Sequence, residues 1–127
     1  MPSPTLSSVL QEVGELLEKN ILIIIRSAPF TTLDYYEGTR VAAGLIEHKL
    51  RILYTGNGVY AATKTSDNKL TNQFLSDLLD LGVELYADVN AMKEREIAEI
   101  ELTKSITPAD NAKLTELFYD AEVSLVF

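Results

Sequence analysis

Short apolar runs alternate along this chain with segments in which apolar residues recur at helical spacing. The apolar runs have the length and composition of β-strands, and they are followed by turn residues or polar residues. We predict strands at Asn20–Arg26, Arg51–Tyr54, Val83–Tyr86, Glu99–Thr103 and Val123–Phe127. The first run is aliphatic without polar alternation, which is typical of a strand buried on both faces of a parallel sheet. We therefore expect it at the centre of the sheet.

The intervening segments carry helix start and stop signals. They predict helices at about 8–18, from Asp34 to about Lys49, at Val59–Lys64, at Leu70–Leu81, from Asp88 to about Arg95, and from Pro108 onward. Asp34 and Glu37 form a capping-box pattern, and Thr107 followed by Pro108 is typical of a helix start. Asp88 is a candidate helix cap, and Gly82 is placed to end a helix in the left-handed conformation.

Strands separated by helices indicate crossover connections, which lead to parallel strand pairs. The sequence thus predicts an α/β fold with a doubly wound, mostly parallel five-stranded sheet and helices on both faces. With 127 residues the chain has the size of one domain, residues 1–127, with an extra N-terminal helix at about 8–18.

In such sheets ligands bind beyond the carboxyl ends of the strands, at the point where the strand order reverses. The loops expected there begin at Arg26, at Thr55 and at Ala87. If the first strand lies between the second and third, the Arg26 loop and Asp88 flank one crevice.

These loops supply candidate ligand-binding residues: Arg26, Ser27, Gly56, Asn57, Gly58, Tyr60 and Asp88. Arg26 can hold a carboxylate or a sulfur oxyanion, or else form an ion pair within the protein. The Gly56–Gly58 turn can present backbone amides to an anion, or else simply be a tight turn. Tyr60 fits a pocket, an interface or the core, and Asp88 fits either a general base or a helix cap.

Composition narrows the chemistry further. The net charge of −8 and the scattered basic residues argue against nucleic acid and anionic lipid as partners. The longest aliphatic run is too short to cross a bilayer and the first residues lack the pattern of a secretory signal, so we expect a cytoplasmic protein. His48 is the one histidine and cysteine is absent, so the sequence offers no metal cluster, no thiolate metal site and no thiol nucleophile. We expect no cofactor.

Several segments together resemble the DsrE/DsrF-like superfamily, most closely its DsrF-like (TusC-like) branch. The strand leading into Arg26-Ser27-Ala28-Pro29 is followed by Glu37-Gly38, in a pattern similar to the S-x-P loop and E-G helix start of that branch. Gly56-Asn57-Gly58-Val59-Tyr60 resembles its D-G-V-aromatic turn. Met92–Arg95 and the segment from Thr107 to Phe127 are similar to its closing segments.

The resemblance implies homotrimers or hexamers of small subunits that pass persulfide sulfur between proteins. We expect the segment from Gly56 to Lys64 and the Asp88 helix near the subunit boundary, where Val59, Tyr60, Phe74 or Tyr86 would supply exposed apolar surface. The reactive cysteine of the family follows the third strand, where this chain has Ala87 or Asp88. Neither side chain accepts sulfur. We therefore expect a non-catalytic subunit or binding module that assembles with itself or with a cysteine-bearing paralogue, with no catalytic residue.

Two other classes of function remain open. One is a small enzyme that uses Arg26, Asp88 and Tyr60 around the crevice. The other is a small-ligand or nucleotide-binding protein of flavodoxin-like form, which would respond to flavin or adenine nucleotides.

Overall fold

A computed structural model of the chain describes residues 5–6, 18–29, 32–64 and 72–127. The strands are β1 (Asn20–Ile25), β2 (Lys49–Tyr54), β3 (Glu84–Asp88), β4 (Ile106–Ala109) and β5 (Val123–Val126). The α-helices are α1 (Asp34–Gly44), α2 (Asn72–Asp80), α3 (Val89–Glu94) and α4 (Asn111–Asp120). Two 3₁₀ helices cover Gly56–Ala62 and Glu99–Glu101.

The strands form one five-stranded sheet in the order β4-β3-β2-β1-β5, and all four neighbouring pairs are parallel. This confirms the predicted α/β fold. The expected position of the first strand was wrong, because β1 lies between β2 and β5 and the middle strand is β2. The aliphatic run signals only that both neighbouring positions and both faces are occupied, and an interior strand beside the centre meets that condition equally well.

The strand order puts the helices on both faces. One face carries the larger core, in which Ile23, Ile25, Ile52 and Ala87 are fully buried. Leu22, Ile24, Leu53 and Tyr86 point to the other face and form a second cluster with Leu117 of α4. Each strand of the interior therefore contributes alternate side chains to two different cores.

The fourth strand is β4, not the predicted Glu99–Thr103. Residues 99–101 form a 3₁₀ turn that is closed by the Glu101 carboxylate, which accepts a hydrogen bond from the Ala98 amide at 3.0 Å. Ile100 is 80% exposed, and only Leu102 of this segment is buried. The alternation of glutamate with apolar residues therefore does not reflect a strand face.

Thr107 and Pro108 lie inside β4 and do not begin a helix. Proline lacks an amide donor, so within a sheet it is confined to edge strands, and β4 is an edge strand. Helix α4 begins after Asp110, whose carboxylate accepts a hydrogen bond from the Lys113 amide at 2.9 Å.

The other helix predictions fared differently. Gly82 has a φ of 83° as expected, and Asp88 caps α3. Helix α1 ends at Gly44, and Lys49 already belongs to β2. The Asp34–Glu37 capping box does not form, because Glu37 binds Arg40 instead. The helix predicted at about 8–18 lies outside the described residues except for residue 18, which is not helical.

Two of the apolar side chains expected to be exposed at a subunit contact near the glycine turn are in fact buried. Val59 and Tyr86 are buried. Large apolar side chains are exposed at several other places, among them Phe118 (50%) and Tyr119 (87%) on α4 and Val126 (56%) on β5, and also Leu33, Leu81 and Ile100. Within the described residues, no helix has the length and apolar composition needed to cross a membrane.

Candidate functional site

The glycine turn after β2 crosses directly over the end of β1. The Thr55 amide donates a hydrogen bond to the Ile25 carbonyl oxygen at 3.0 Å. A Cβ atom on Gly58 would lie 2.0 Å from that same oxygen, so no other residue fits at this position. Gly56 has a φ of 52°, in the left-handed region that favours glycine. The Gly58 amide is already used, since it donates to the Thr55 carbonyl oxygen at 2.9 Å.

A wide-mouthed cavity of about 380 Å³ opens at this edge of the sheet. Its lining residues come from the β1 loop, the start of α1, the glycine turn, the end of α3 and the end of β5: Arg26, Ser27, Asp34, Gly56, Asn57, Arg95, Val126 and Phe127. The switch in strand order falls between β1 and β5, so the cavity lies where an open α/β sheet binds its ligands.

Arg26 and Ser27 contribute unused polar groups to this cavity. The Arg26 amide donates to the Phe127 carbonyl oxygen at 2.7 Å, which fixes the backbone beside β5. The Arg26 side chain is exposed, and its guanidinium has no hydrogen-bond or ion-pair partner among the described residues. The Ser27 hydroxyl oxygen is buried and also lacks a hydrogen-bond partner there.

Arg95 is the second arginine of the cavity, and the sequence analysis missed it as a site residue. Its Nε and Nη2 atoms donate to the Asn57 Oδ1 atom at 3.1 and 3.0 Å, and Nη1 donates to the Ala91 carbonyl oxygen at 3.0 Å. Asn57 and Arg95 are 38 residues apart in the chain, so no local pattern connects them. The sequence shows that Arg95 follows the helix that Asp88 caps, but it does not show which way the Arg95 side chain points.

Asp88 and Tyr60 do not line this cavity. The Asp88 carboxylate caps α3 by accepting from the Asn90 amide at 2.9 Å, and it also accepts from the Thr55 hydroxyl at 2.7 Å. The condition for a crevice shared by Arg26 and Asp88 is not met, because β2 lies between β1 and β3. Gly58 lies against the main chain of Ile25 at the end of β1 and does not line the cavity.

Neither position expected for the family cysteine presents a reactive side chain. Ala87 is fully buried and lies between Tyr54 of β2 and Pro108 of β4 in the sheet register. The oxygens of Asp88 are occupied by the cap and by Thr55.

A larger cleft of about 580 Å³ lies at the opposite edge, beside the amino ends of β1 and β2. Three of its charged groups are paired: Arg51 lies 3.6 Å from both Glu84 and Asp120. The His48 Nδ1 atom accepts a hydrogen bond from the Lys19 amide at 3.0 Å, which ties the starts of two strands together. These contacts are those of a structural network, and this edge is not the one that binds ligands in open α/β sheets.

Comparisons with known proteins agree with this architecture. The chain is similar in structure to the ychN protein from E. coli, with a TM-score of 0.71 and 19% sequence identity, over 87% of this chain and 100% of that one. At this identity the similarity shows a shared fold. A search of curated proteins found no match. The model of the DsrE/DsrF-like family matches residues 19–127, which is nearly the whole sequence. The chain therefore belongs to the DsrE/DsrF-like family.

Proposed function

We propose that this chain is a DsrF-like (TusC-like) subunit of a sulfur-relay assembly and that it transfers no sulfur itself. The observation that carries the proposal is the family membership of a sequence without cysteine. A persulfide needs a thiol to form, and the side chains at the two expected positions are a buried methyl group and a carboxylate occupied in hydrogen bonds.

A subunit without the reactive group contributes through assembly, so the proposal includes association with itself or with a cysteine-bearing relative. Two neighbouring exposed aromatic side chains on α4, Phe118 and Tyr119, support an interface that includes this helix. Tyr119 is the most exposed of the large apolar residues of the described chain, at 87%, and aromatic residues are enriched at interface centres.

Native mass spectrometry of the purified chain at micromolar concentration tests self-assembly. We expect a trimer or a hexamer, and Tyr119→Glu should shift the spectrum toward monomer. Ile100→Glu is the matched control, since it replaces another exposed apolar side chain outside α4 and β5 and should leave the mass unchanged.

Association with a relative is tested by affinity capture from the native cell, followed by identification of small co-purifying proteins. We expect a cysteine-bearing DsrE-like protein, and its persulfide transfer should be faster with this chain present than without it. A monomeric chain that recovers no such partner would contradict the proposed function.

A small enzyme acting through Arg26, Asp88 and Tyr60 has less support, because these three residues do not line one cavity. A binding role for the Arg26 cavity remains compatible with the proposed function.

A further inference from the structure

We infer that the cavity at the carboxyl end of β1 binds a small organic acid, with its carboxylate between Arg26 and Arg95. This inference concerns the isolated chain and does not depend on the proposed role in a sulfur-relay assembly. It rests on three features of the cavity: its two guanidinium groups, a buried hydroxyl without a partner, and an apolar wall.

Charged groups of both signs line the cavity. Among the described residues the charged side chains there are Arg26, Arg95 and Asp34, and the main-chain oxygen of Phe127 lies beside them, where it accepts a hydrogen bond from the Arg26 amide at 2.7 Å. Asp34 forms no ion pair with either arginine within 4.0 Å. The two guanidinium groups belong to a chain with a net charge of −8, whose overall field repels anions. An anion that binds here is therefore held by contacts in the cavity and not by general attraction.

The two arginines play different roles. Arg95 is fixed, because its side chain is 20% exposed and donates to Asn57 and to the Ala91 carbonyl oxygen. Its remaining pairing, to Glu94 at 3.5 Å, involves a side chain that is 76% exposed and is correspondingly weak. A guanidinium has five N–H donors, so Arg95 keeps one for a ligand, while Arg26 keeps all five of its own. Arg95 thus provides a preorganised contact, and Arg26 provides an exposed group without a partner among the described residues.

The Ser27 hydroxyl supplies the second polar observation. A buried hydroxyl without a hydrogen-bond partner costs about 1–3 kcal/mol relative to a satisfied one, so such groups are rare in folded proteins. Ser27 follows Arg26 directly and lines the same cavity. The hydroxyl oxygen is inaccessible in its present rotamer, so rotation about the Cα–Cβ bond of Ser27 would have to bring it to the cavity, where an oxygen of a bound carboxylate would accept the hydrogen bond that it now lacks.

The remaining wall favours an organic acid over an inorganic ion. Val126 and Phe127 line the cavity beside the polar groups, and a volume of about 380 Å³ exceeds what a small inorganic ion fills. An apolar body can pack against this wall while its carboxylate contacts the arginines.

Isothermal titration of the full chain with sodium acetate, sodium benzoate, sodium sulfate and sodium phosphate at constant ionic strength tests the inference. We expect saturable binding of benzoate that is at least tenfold tighter than that of acetate. Tighter binding of sulfate or phosphate than of benzoate would overturn the assignment to an organic acid, and the lack of saturable binding by every probe would overturn the site itself.

Variants locate the binding. Arg26→Gln should weaken benzoate binding at least tenfold, while Arg40→Gln, which removes an exposed arginine paired with Glu37 on α1, should leave it unchanged. Arg95→Gln should weaken it similarly. If this variant fails to fold, Arg95→Lys tests the preorganised geometry instead of the charge, because a lysine keeps the charge but cannot donate from two nitrogens to the Asn57 Oδ1 atom, and it should also weaken benzoate binding.

Ser27→Ala separates a binding role from a structural one. The variant removes a hydroxyl that has no partner among the described residues, so the free protein should be as stable as the parent or more so. Its affinity for benzoate should nevertheless fall severalfold. An unchanged affinity in both Ser27→Ala and Arg26→Gln would overturn the inference.

Discussion

At the scale of single residues, Gly58 is the glycine with the least room for a side chain among those that the structure describes. The carbonyl oxygen of Ile25 and the next peptide group leave no room for a side chain on it. The turn must lie this close because the Thr55 amide binds the same oxygen of β1. This contact fixes how close the loop, which forms part of the cavity, lies to the end of β1.

Gly58→Ala should therefore lower the free energy of unfolding by about 3 kcal/mol, since a Cβ atom forces either the turn or the end of β1 to move. Urea denaturation measures the change. Gly44→Ala is the matched control, because nothing lies within 4 Å of a Cβ atom at that helical position. There the free energy of unfolding should stay the same or rise by up to about 1 kcal/mol. Equal effects of the two substitutions would contradict the close approach at Gly58.

At the scale of elements, the start of α4 shows how the same residues support two interpretations. Thr107 and Pro108 have the residue types of a helix start, but they lie in the edge strand β4, and Asp110 caps the helix. Pairing of β4 with β3 decides between the two, because Pro108 lies opposite Ala87 in the register.

The assignment of the cap can be tested by substitution. Asp110→Ala should lower the free energy of unfolding by about 1 kcal/mol through the loss of the side-chain hydrogen bond to the Lys113 amide, and Asp110→Asn should restore most of it. Thr107→Ala should change it by less than about 0.5 kcal/mol, since this exposed side chain caps no helix. Denaturant midpoints of the three variants decide the matter: a larger loss from Thr107→Ala than from Asp110→Ala would show the cap to be misplaced.

At the scale of the whole molecule, the strand order controls which parts of the sheet are protected. β1 is hydrogen-bonded on both sides, to β2 and to β5, whereas β5 is paired with β1 alone among the strands of the described chain. Ile21–Ile25 are all buried, while Val123, Ser124 and Val126 are exposed. The stability of the sheet therefore decreases from its interior toward β5.

Hydrogen exchange followed by mass spectrometry should show this difference. We expect amides of β1 and β2 to exchange only through global unfolding, and those of β5 to exchange faster through local opening. The comparison is internal to one protein under one condition, so no variant is needed. Protection of Val123–Val126 equal to that of Ile21–Ile25 would mean that the β5 edge is covered, as it would be by a partner subunit.

The sequence by itself determined the kind of fold and several local features. The aliphatic run of β1, the cap at Asp88 and the left-handed Gly82 follow from the chemistry of residues that are close in the chain, so local patterns predict them. Arg26 and Ser27 were named as site residues because the end of a strand in such a sheet is a known place for ligands.

The tertiary structure alone decided the order of the strands and the composition of the site. Strand order depends on which crossover packs against which face, and periodicity carries no information about that choice. For this reason the first strand was wrongly expected at the centre of the sheet, and Arg95 was not expected beside Arg26 at all. A contact such as Arg95 to Asn57, across 38 residues, forms only when the two loops meet at one edge of the folded sheet.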